Sequence, residues 1–219
     1  SGDLTNLPLL QYTAKFQKPM IISTGMATLA EVKEAVNIIK RAGNKKIVVL
    51  HCTTSYPCPL DKVNLRAIQT ILKKTRALVG YSDHTVNAQA SLMAATLGAC
   101  VIEKHFTLDR NLPGPDHGAS MEPEEFKHMV QAIKSVNLIL GSDSKKPTRD
   151  EVAMRGVGRK SLVSLVDIKK GEELTTRNIG IKRPGTGLKP SYFFKLIGLR
   201  AQRNIKADML ISRNDFGPK

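Results

Sequence analysis

The 219-residue sequence predicts an α/β fold on a parallel sheet, followed by a small β-rich module. Three observations carry that expectation. Through about residue 140 one unit recurs: apolar strand, polar strand end, amphipathic helix, glycine. Apolar strand starts fall near Met20, Ile47, Leu78 and Cys100, at spacings of 27, 31 and 22 residues, which is the rhythm of βαβ units. From Gly141 the pattern breaks into the polar stretch GSDSKKPTRDEVAMRGVGRK. Beyond it, short alternating segments are interrupted by Lys-Lys-Gly, Arg-Pro-Gly-Thr-Gly and Lys-Ala-Asp.

Taken in order, Leu7 to Phe16 predicts an opening helix. Met20-Ile21-Ile22 predicts a strand that ends at Ser23-Thr24-Gly25. Thr28 with Glu31 three residues on is a capping box for a helix that stops at Gly43, with Ala30, Val32, Val36 and Ile39 on or beside its buried face. A second strand, Ile47 to Leu50, runs into His51-Cys52-Thr53-Thr54-Ser55-Tyr56-Pro57, and a helix from about Asp61 to Thr75 leads to the third strand at Leu78. The nearly all small or apolar helix from Val86 to Leu97 ends at Gly98. Pro123, Glu124 and Glu125 suit the first turn of a last helix that runs to Leu140. Residues 141–160 are expected to be a linker, and residues 161–219 a β-rich domain. So short a module buries little apolar surface of its own and is expected to lean on another domain or chain.

At 24.0 kDa and 41% hydrophobic residues the composition is globular. Three cysteines, Cys52, Cys58 and Cys100, lack framework spacing and predict reduced thiols, hence a cytoplasmic protein. No apolar run approaches the roughly 18 residues of a membrane span, and no basic-then-apolar leader opens the chain. The formal charge of +15 is uneven: residues 145–219 hold 18 Lys+Arg against 7 Asp+Glu, a net of +11, and residues 1–144 hold the remaining +4. With no Trp, 5% aromatics and no nucleic-acid motif, this excess predicts a solvated basic surface that helps attract anionic substrates, and neither nucleic acid nor membrane as a partner.

The candidate chemistry sits between Leu78 and Asp116. One strand ends in Ser82-Asp83-His84 and the next in Glu103-Lys104-His105, so adjacent strands deliver a histidine to the same end of the sheet, where parallel sheets bind ligands. Neutral imidazoles with a carboxylate nearby suit a divalent cation. His84 and His105 are therefore expected to be metal ligands, and His84, His105 and Glu103 to be the catalytic residues. Glu103, on the strand face of His105 by the two-residue period, is expected to support them or to be a further ligand. His51 is either a third ligand or a residue lining the mouth. His117 either touches substrate or does not, and His128, mid-helix, is expected at the surface. Cys52 and Cys58 have no paired set elsewhere and predict no zinc site.

Four strands do not close an eight-stranded barrel, and four parallel strands alone leave apolar edges exposed. The sequence therefore predicts either a small open sheet or half of a larger unit. Because it starts at Ser1-Gly2-Asp3, on what looks like the polar end of a strand, the expectation is that a front half precedes it.

The runs KPMIISTGMATLAEV, LHCTTSYPCPLDKVNL, GYSDHT, IEKHFTLDRNLPGPDHGASMEP and DIKKGEEL…NIGIKRPGTGL, in this order, resemble the second half of the sialic acid synthase family, including its legionaminate and pseudaminate relatives. That resemblance covers almost the entire chain. It implies that residues 1–140 are the C-terminal half, strands five to eight, of a TIM (β/α)8 barrel and that residues 161–219 are an antifreeze-like (SAF) domain. It further implies condensation of phosphoenolpyruvate with an N-acetylmannosamine-type sugar, release of phosphate, and a requirement for Mn²⁺ or Mg²⁺. By motif, His84 and His105 resemble the metal ligands. Ser23, Ser82 and Ser1 resemble contacts to phosphoenolpyruvate, and Tyr56 and Asp116 sugar-binding positions. Thr54 stands where the bacterial sialate synthases usually carry Asn. Arg183 resembles an arginine that reaches the partner's barrel in a domain-swapped homodimer. Two other classes are consistent with the residues: another barrel enzyme of metal-dependent aldol or keto-acid chemistry, and a non-catalytic sugar-binding or dimerisation module.

Overall fold

A computed structural model of the chain describes residues 1–217, so the last two positions of the expected second domain lie outside the described residues. The chain divides into two compact units, residues 1–142 and residues from 143 onward.

In the first unit, α1 (Leu7–Ala14) opens with the Asn6 side chain accepting from the Leu9 amide, and β1 (Met20–Ser23) follows. Helix α2 (Leu29–Arg41) carries the expected reciprocal cap, with Thr28 Oγ1 accepting from the Glu31 amide and Glu31 Oε2 from the Thr28 amide. Val32, Ala35, Val36 and Ile39 are buried, whereas Ala30 is exposed. After β2 (Ile47–Cys52), the expected helix from Asp61 splits into a 3₁₀ turn at Leu60–Lys62 and α3 (Ala67–Thr75). Asn64, at φ +49°, interrupts the helical path between them.

Strand β3 (Leu78–Asp83) precedes α4 (Gln89–Thr96). This helix starts three residues later than the apolar pattern predicts, because the carbonyls of Thr85 and Asn87 turn aside to accept hydrogen bonds from Lys104. Then come β4 (Ile102–Lys104) and α5 (Pro123–Leu140), the latter as expected with Pro in its first turn and a Glu122/Glu125 capping box.

The four strands form one parallel sheet in sequence order. Its register places Ser23 beside Leu50, Cys52 beside Ser82, Ser82 beside Glu103 and Asp83 beside Lys104. Since strand side chains alternate between faces, that register sorts every residue. Met20, Ile22, Ile47, Val49, Val79, Tyr81 and Ile102 face the helices and form the core with α2, α3 and α4. The opposite face carries Ile21, Val48 and Leu78 at its amino end, and Ser23, Cys52, Ser82 and Glu103 at its carboxyl end. Ile21 and Leu78 remain 56% and 61% exposed there. At the centre of that face Leu50 packs over Gly80, whose lack of a Cβ is required: one would come within 2.5 Å of both Leu50 Cδ2 and the Val101 carbonyl.

The second unit contains α6 (Arg149–Gly158), β5 (Ser161–Ser164), β6 (Ile179–Lys182), α7 (Phe193–Leu196), β7 (Arg200–Ala201) and β8 (Phe216–Gly217). Strands β5/β6 and β7/β8 pair antiparallel, and single bridges join Val163 to Leu210 and Ile168 to Ile205. Leu162, Ile168, Leu174, Ile179, Leu196 and Ile211 lead a core of its own. Helix α6 falls inside the stretch expected to be a linker. A Thr148/Glu151 capping box starts it, although none of its residues is buried. No helix among the described residues is long and apolar enough to cross a membrane.

Gly80→Ala is expected to destabilise the first unit by about 1–3 kcal/mol, because the Val101 carbonyl is backbone and cannot yield as a side-chain tip would. A urea midpoint equal to that of the parent would contradict the tight β3–β4 approach.

Candidate active site

The carboxyl ends of β3 and β4 bring the two expected histidines together. Two residues past the Ser82/Glu103 row, the rings of His84 and His105 lie with centroids 5.2 Å apart and nearly perpendicular. Tyr56, from the loop after β2, lays its ring 4.1 Å from that of His84 and 5.3 Å from that of His105. His84 is buried, whereas Tyr56 and Glu103 are exposed. Below the rings Ser82 Oγ donates to Glu103 Oε1 at 2.6 Å.

The protonation pattern of His84 follows from its partner. Nδ1 sits 2.8 Å from the Thr53 carbonyl oxygen. A carbonyl only accepts, so Nδ1 carries the hydrogen, and in the neutral imidazole the lone pair is then on Nε2. The backbone beside the ring is held as well, with the His84 carbonyl accepting from the Cys58 amide at 2.8 Å. Cys52 Sγ lies 3.8 Å from Nδ1 and 4.0 Å from Nε2, and burial pushes its thiol pKa above the ordinary value.

At the end of β1, the hydroxyl of Ser1 lies 3.0 Å from Ser23 Oγ, and the Gly25 amide donates to Ser1 Oγ at 3.1 Å. Thr54 crowds Gly25 so closely that a Cβ there would come within 2.1 Å of Thr54 Oγ1. Ser1, Ser23 and Thr54 therefore share one small cluster of hydroxyls and an amide. Beside it opens a cavity of about 430 Å³, lined by Thr24, His51, Cys52, Thr53 and Thr54 among others. Neither His84 nor His105 lines it; by strand alternation both follow Ser82 and Glu103 on the face opposite the helices.

Other expected residues lie elsewhere. His51 shares a face with Tyr81, which is the helix side. Its Nε2 is 2.8 Å from the Val63 carbonyl, its ring stacks 6.0 Å from Tyr81, and burial lowers its pKa. Of its two open readings the structure favours the second: it lines the cavity from the helix side, away from the His84–His105 pair, with Nε2 engaged by backbone. His117 is bound within its own loop, with Nδ1 2.8 Å from Thr107 Oγ1. Thr107 gives its own hydrogen to the Asp109 carbonyl, so His117 donates. Asp116 is exposed. Together with burial, which acts first, its charge helps to raise the Tyr56 phenol pKa. Arg183 is exposed just past β6, on the second unit.

Two residues of the site's surroundings escape a reading by motif alone. Asp83 and Lys104 lie opposite each other on the helix side, with Lys104 Nζ 3.1 Å from Asp83 Oδ2 and their side chains 0% and 1% exposed. Asp83 also accepts from the Thr85 amide at 2.8 Å, Ser91 Oγ at 2.5 Å and Tyr81 Oη at 3.3 Å. Burial lowers the Lys104 pKa and the Asp83 charge opposes that shift. The signal was present in the alternation of the strands, which sends Asp83 and Lys104 away from Ser82, His84, Glu103 and His105.

Among the described residues no three His, Cys, Asp or Glu side chains converge as a ready metal cage. What the donor set offers a divalent cation is two imidazoles, one with its tautomer fixed by the Thr53 carbonyl so that Nε2 is free to ligate. A backbone acceptor behind a histidine is the usual support of a metal-binding imidazole, and on that ground the pair fits such an ion.

Residues 1–145 match the NeuB family, and residues 159–217 match the SAF domain. The chain is 46% identical over 213 residues to the N,N'-diacetyllegionaminic acid synthase of Campylobacter jejuni, covering 96% of this chain and 64% of that protein. It is 44% identical over 211 residues to the enzyme of the same name from Legionella pneumophila, covering 94% and 59%. It is also similar to the crystal structure of the spore coat polysaccharide biosynthesis protein SpsE from Bacillus subtilis, at 37% identity and a TM-score of 0.62, covering 99% of this chain and 66% of that one. The chain thus spans about six-tenths of the length of the two curated relatives.

Burial lowers the thiolate fraction of Cys52 and Cys58 at neutral pH by raising both pKa values, while Cys100 is exposed. Native protein at pH 7.5 is expected to show one rapidly titrating thiol, Cys100, with the other two reacting on unfolding. Peptide mapping that found Cys52 labelled as fast as Cys100 would contradict this placement.

Proposed function

The chain belongs to the NeuB family, and from that premise we propose that it carries the carboxyl-end face of a nonulosonate synthase, which joins phosphoenolpyruvate to a 2-acetamido sugar and releases phosphate. The observation that carries this reading is the meeting of His84 and His105 at two adjacent strand ends, beside the Ser82–Glu103 pair.

The reaction demands that the enol carbon of one substrate attack the aldehyde of another, and that water then attack the carbon bearing the phosphate as the phosphate departs. His84 and His105 would hold the divalent cation, Mn²⁺ or Mg²⁺. When bound, such an ion supplies Lewis-acid polarisation of the acceptor's aldehyde oxygen. The remaining work falls to the chain. Thr53 fixes the His84 ring so that its Nε2 faces away from the hydrogen-bonded edge. The hydroxyls of Ser23 and Ser1, 3.0 Å apart at a strand end, would turn a hydrogen toward the anionic oxygens of phosphoenolpyruvate.

Ser82 gives its hydrogen to Glu103, so in contacting substrate it would exchange one carboxylate for another anion. Glu103, two residues before His105, would add negative charge at the site, and Tyr56, whose phenol senses the charges of Asp116 and Glu103, would with Asp116 meet the acceptor sugar. Thr54 has one hydroxyl hydrogen to offer in place of an amide's two. Arg183 on the second unit is the proposed contact to the acyl group of a sugar bound by the partner in a homodimer. Holding both substrates in attack geometry supplies much of the remaining acceleration.

Two acceptor classes compete. Likeness to the two N,N'-diacetyllegionaminic acid synthases favours a 2,4-diacetamido-2,4,6-trideoxy sugar, and the broader family likeness favours N-acetylmannosamine. Product identification by mass spectrometry, with phosphoenolpyruvate and each acceptor in turn, decides between them. Phosphate release without a nine-carbon 2-keto acid from either would overturn the reading.

His84→Ala is expected to lower turnover by about 100-fold or more and to weaken divalent-ion binding; unchanged kcat would remove the metal role. Arg183→Ala is expected to raise the acceptor KM by roughly 10-fold or more, the cost of a lost charge-assisted hydrogen bond, with little change in the phosphoenolpyruvate KM. Equal effects on both would discredit the reach across the dimer.

A further inference from the structure

Resting on that reading of His84 and His105, we propose that the buried Asp83–Lys104 pair positions the two histidines, so that Asp83, Lys104 and Ser91 are positioning residues for the site. Each member of the pair immediately precedes one of the histidines, and the two are directly opposite in the β3–β4 register. Their side chains meet on the helix side while the imidazoles stand at the carboxyl end of the other face. The backbone between links them, and the pair holds that backbone at close range.

The geometry is a clamp on Thr85, the residue after His84. Asp83 Oδ1 accepts from the Thr85 amide at 2.8 Å, and Lys104 Nζ donates to the Thr85 carbonyl. The same ammonium donates to the Asn87 carbonyl at 3.0 Å, and Ser91 Oγ on α4 anchors Asp83 Oδ2 at 2.5 Å. Both polar groups of one peptide-flanked residue are thus held by two charges that are themselves bonded to each other. On its amino side His84 is covalently fixed to Asp83. Its carbonyl is held by the Cys58 amide, which leaves ring rotation as the free coordinate, and Thr53 removes that.

An apolar pair of similar volume would pack between sheet and helix at least as stably, since burying two charges costs much of what their attraction returns. It would not hold the N–H and C=O of Thr85 together. The feature that an ion pair supplies here, and a hydrophobic pair does not, is the shape of residues 84–87.

The test uses the intact protein, freed of metal with EDTA and selectively ¹⁵N-labelled at histidine, in the parent, in the charge-free Asp83→Asn/Lys104→Met double variant and in Ser91→Ala. In the parent, His84 is expected to give the Nδ1–H tautomer with a slowly exchanging proton. In the folded double variant, the His84 signals are expected to move toward the average of two tautomers, with proton exchange accelerated at least tenfold. Mn²⁺ affinity, read by electron paramagnetic resonance, is expected to fall about tenfold.

Ser91→Ala removes one hydrogen bond and leaves both charges. It is expected to shift the same signals in the same direction by a smaller amount, and it decides the matter if the double variant does not fold. An unchanged His84 tautomer and exchange rate in whichever variant folds overturns the proposal, since the pair would then be structural only. Failure of the parent to bind Mn²⁺ would instead count against the proposed function, and the tautomer readout would still decide the positioning role.

Discussion

The parallel register between β3 and β4 is the constraint on which the rest of the first unit depends. By setting Ser82 beside Glu103 and Asp83 beside Lys104, it assigns each residue of two consecutive polar triplets to a face. One face receives a hydrogen-bonded hydroxyl and carboxylate and, at its end, two imidazoles. The other receives a carboxylate and an ammonium that neutralise each other out of contact with water. A slip of one residue in either strand would turn that strand's charged side chain onto the open face and leave its partner buried alone. Such a slip costs far more than the usual loss of packing, so register is enforced here by charge as well as by apolar area.

The same alternation explains why the first unit is apolar through its core and polar at one edge. Toward the helices the strands present Met, Ile, Val and Tyr. Toward the other side they are apolar low on the sheet and polar at the top, with Gly80 admitting the close approach of Leu50 and Val101 between the two zones. The hydroxyl cluster at β1 and the histidine pair at β3 and β4 are thus held on backbone whose position is determined from below. The second unit contributes its own core and short antiparallel pairs, with the exposed Arg183 just past β6.

Much of this was legible in the sequence, and the parts that were not have identifiable causes. Capping boxes at Thr28/Glu31 and the Pro123-Glu124-Glu125 start located α2 and α5, because caps are local chemistry. The pairing of His84 with His105 was legible because parallel strands gather their carboxyl ends. The break before α3 was not, since it depends on Asn64 adopting a left-handed conformation that nothing in its neighbours signals. Helix α6 was hidden because it has a cap but no buried face, so periodicity was silent where Thr148 and Glu151 were not. His51 was left open between two roles, although its parity with Tyr81 and Asp83 places it against the helices. The Asp83–Lys104 pair was masked by its motifs, whose neighbouring residues point the opposite way.

The central claim is that two imidazoles delivered by adjacent strands face one site and hold one ion. Anomalous diffraction at the manganese edge from crystals soaked in Mn²⁺ tests it most directly. The account predicts a single peak shared by His84 Nε2 and a His105 ring nitrogen. Rings turned apart with no peak between them, or a peak bound elsewhere on the chain, would contradict it.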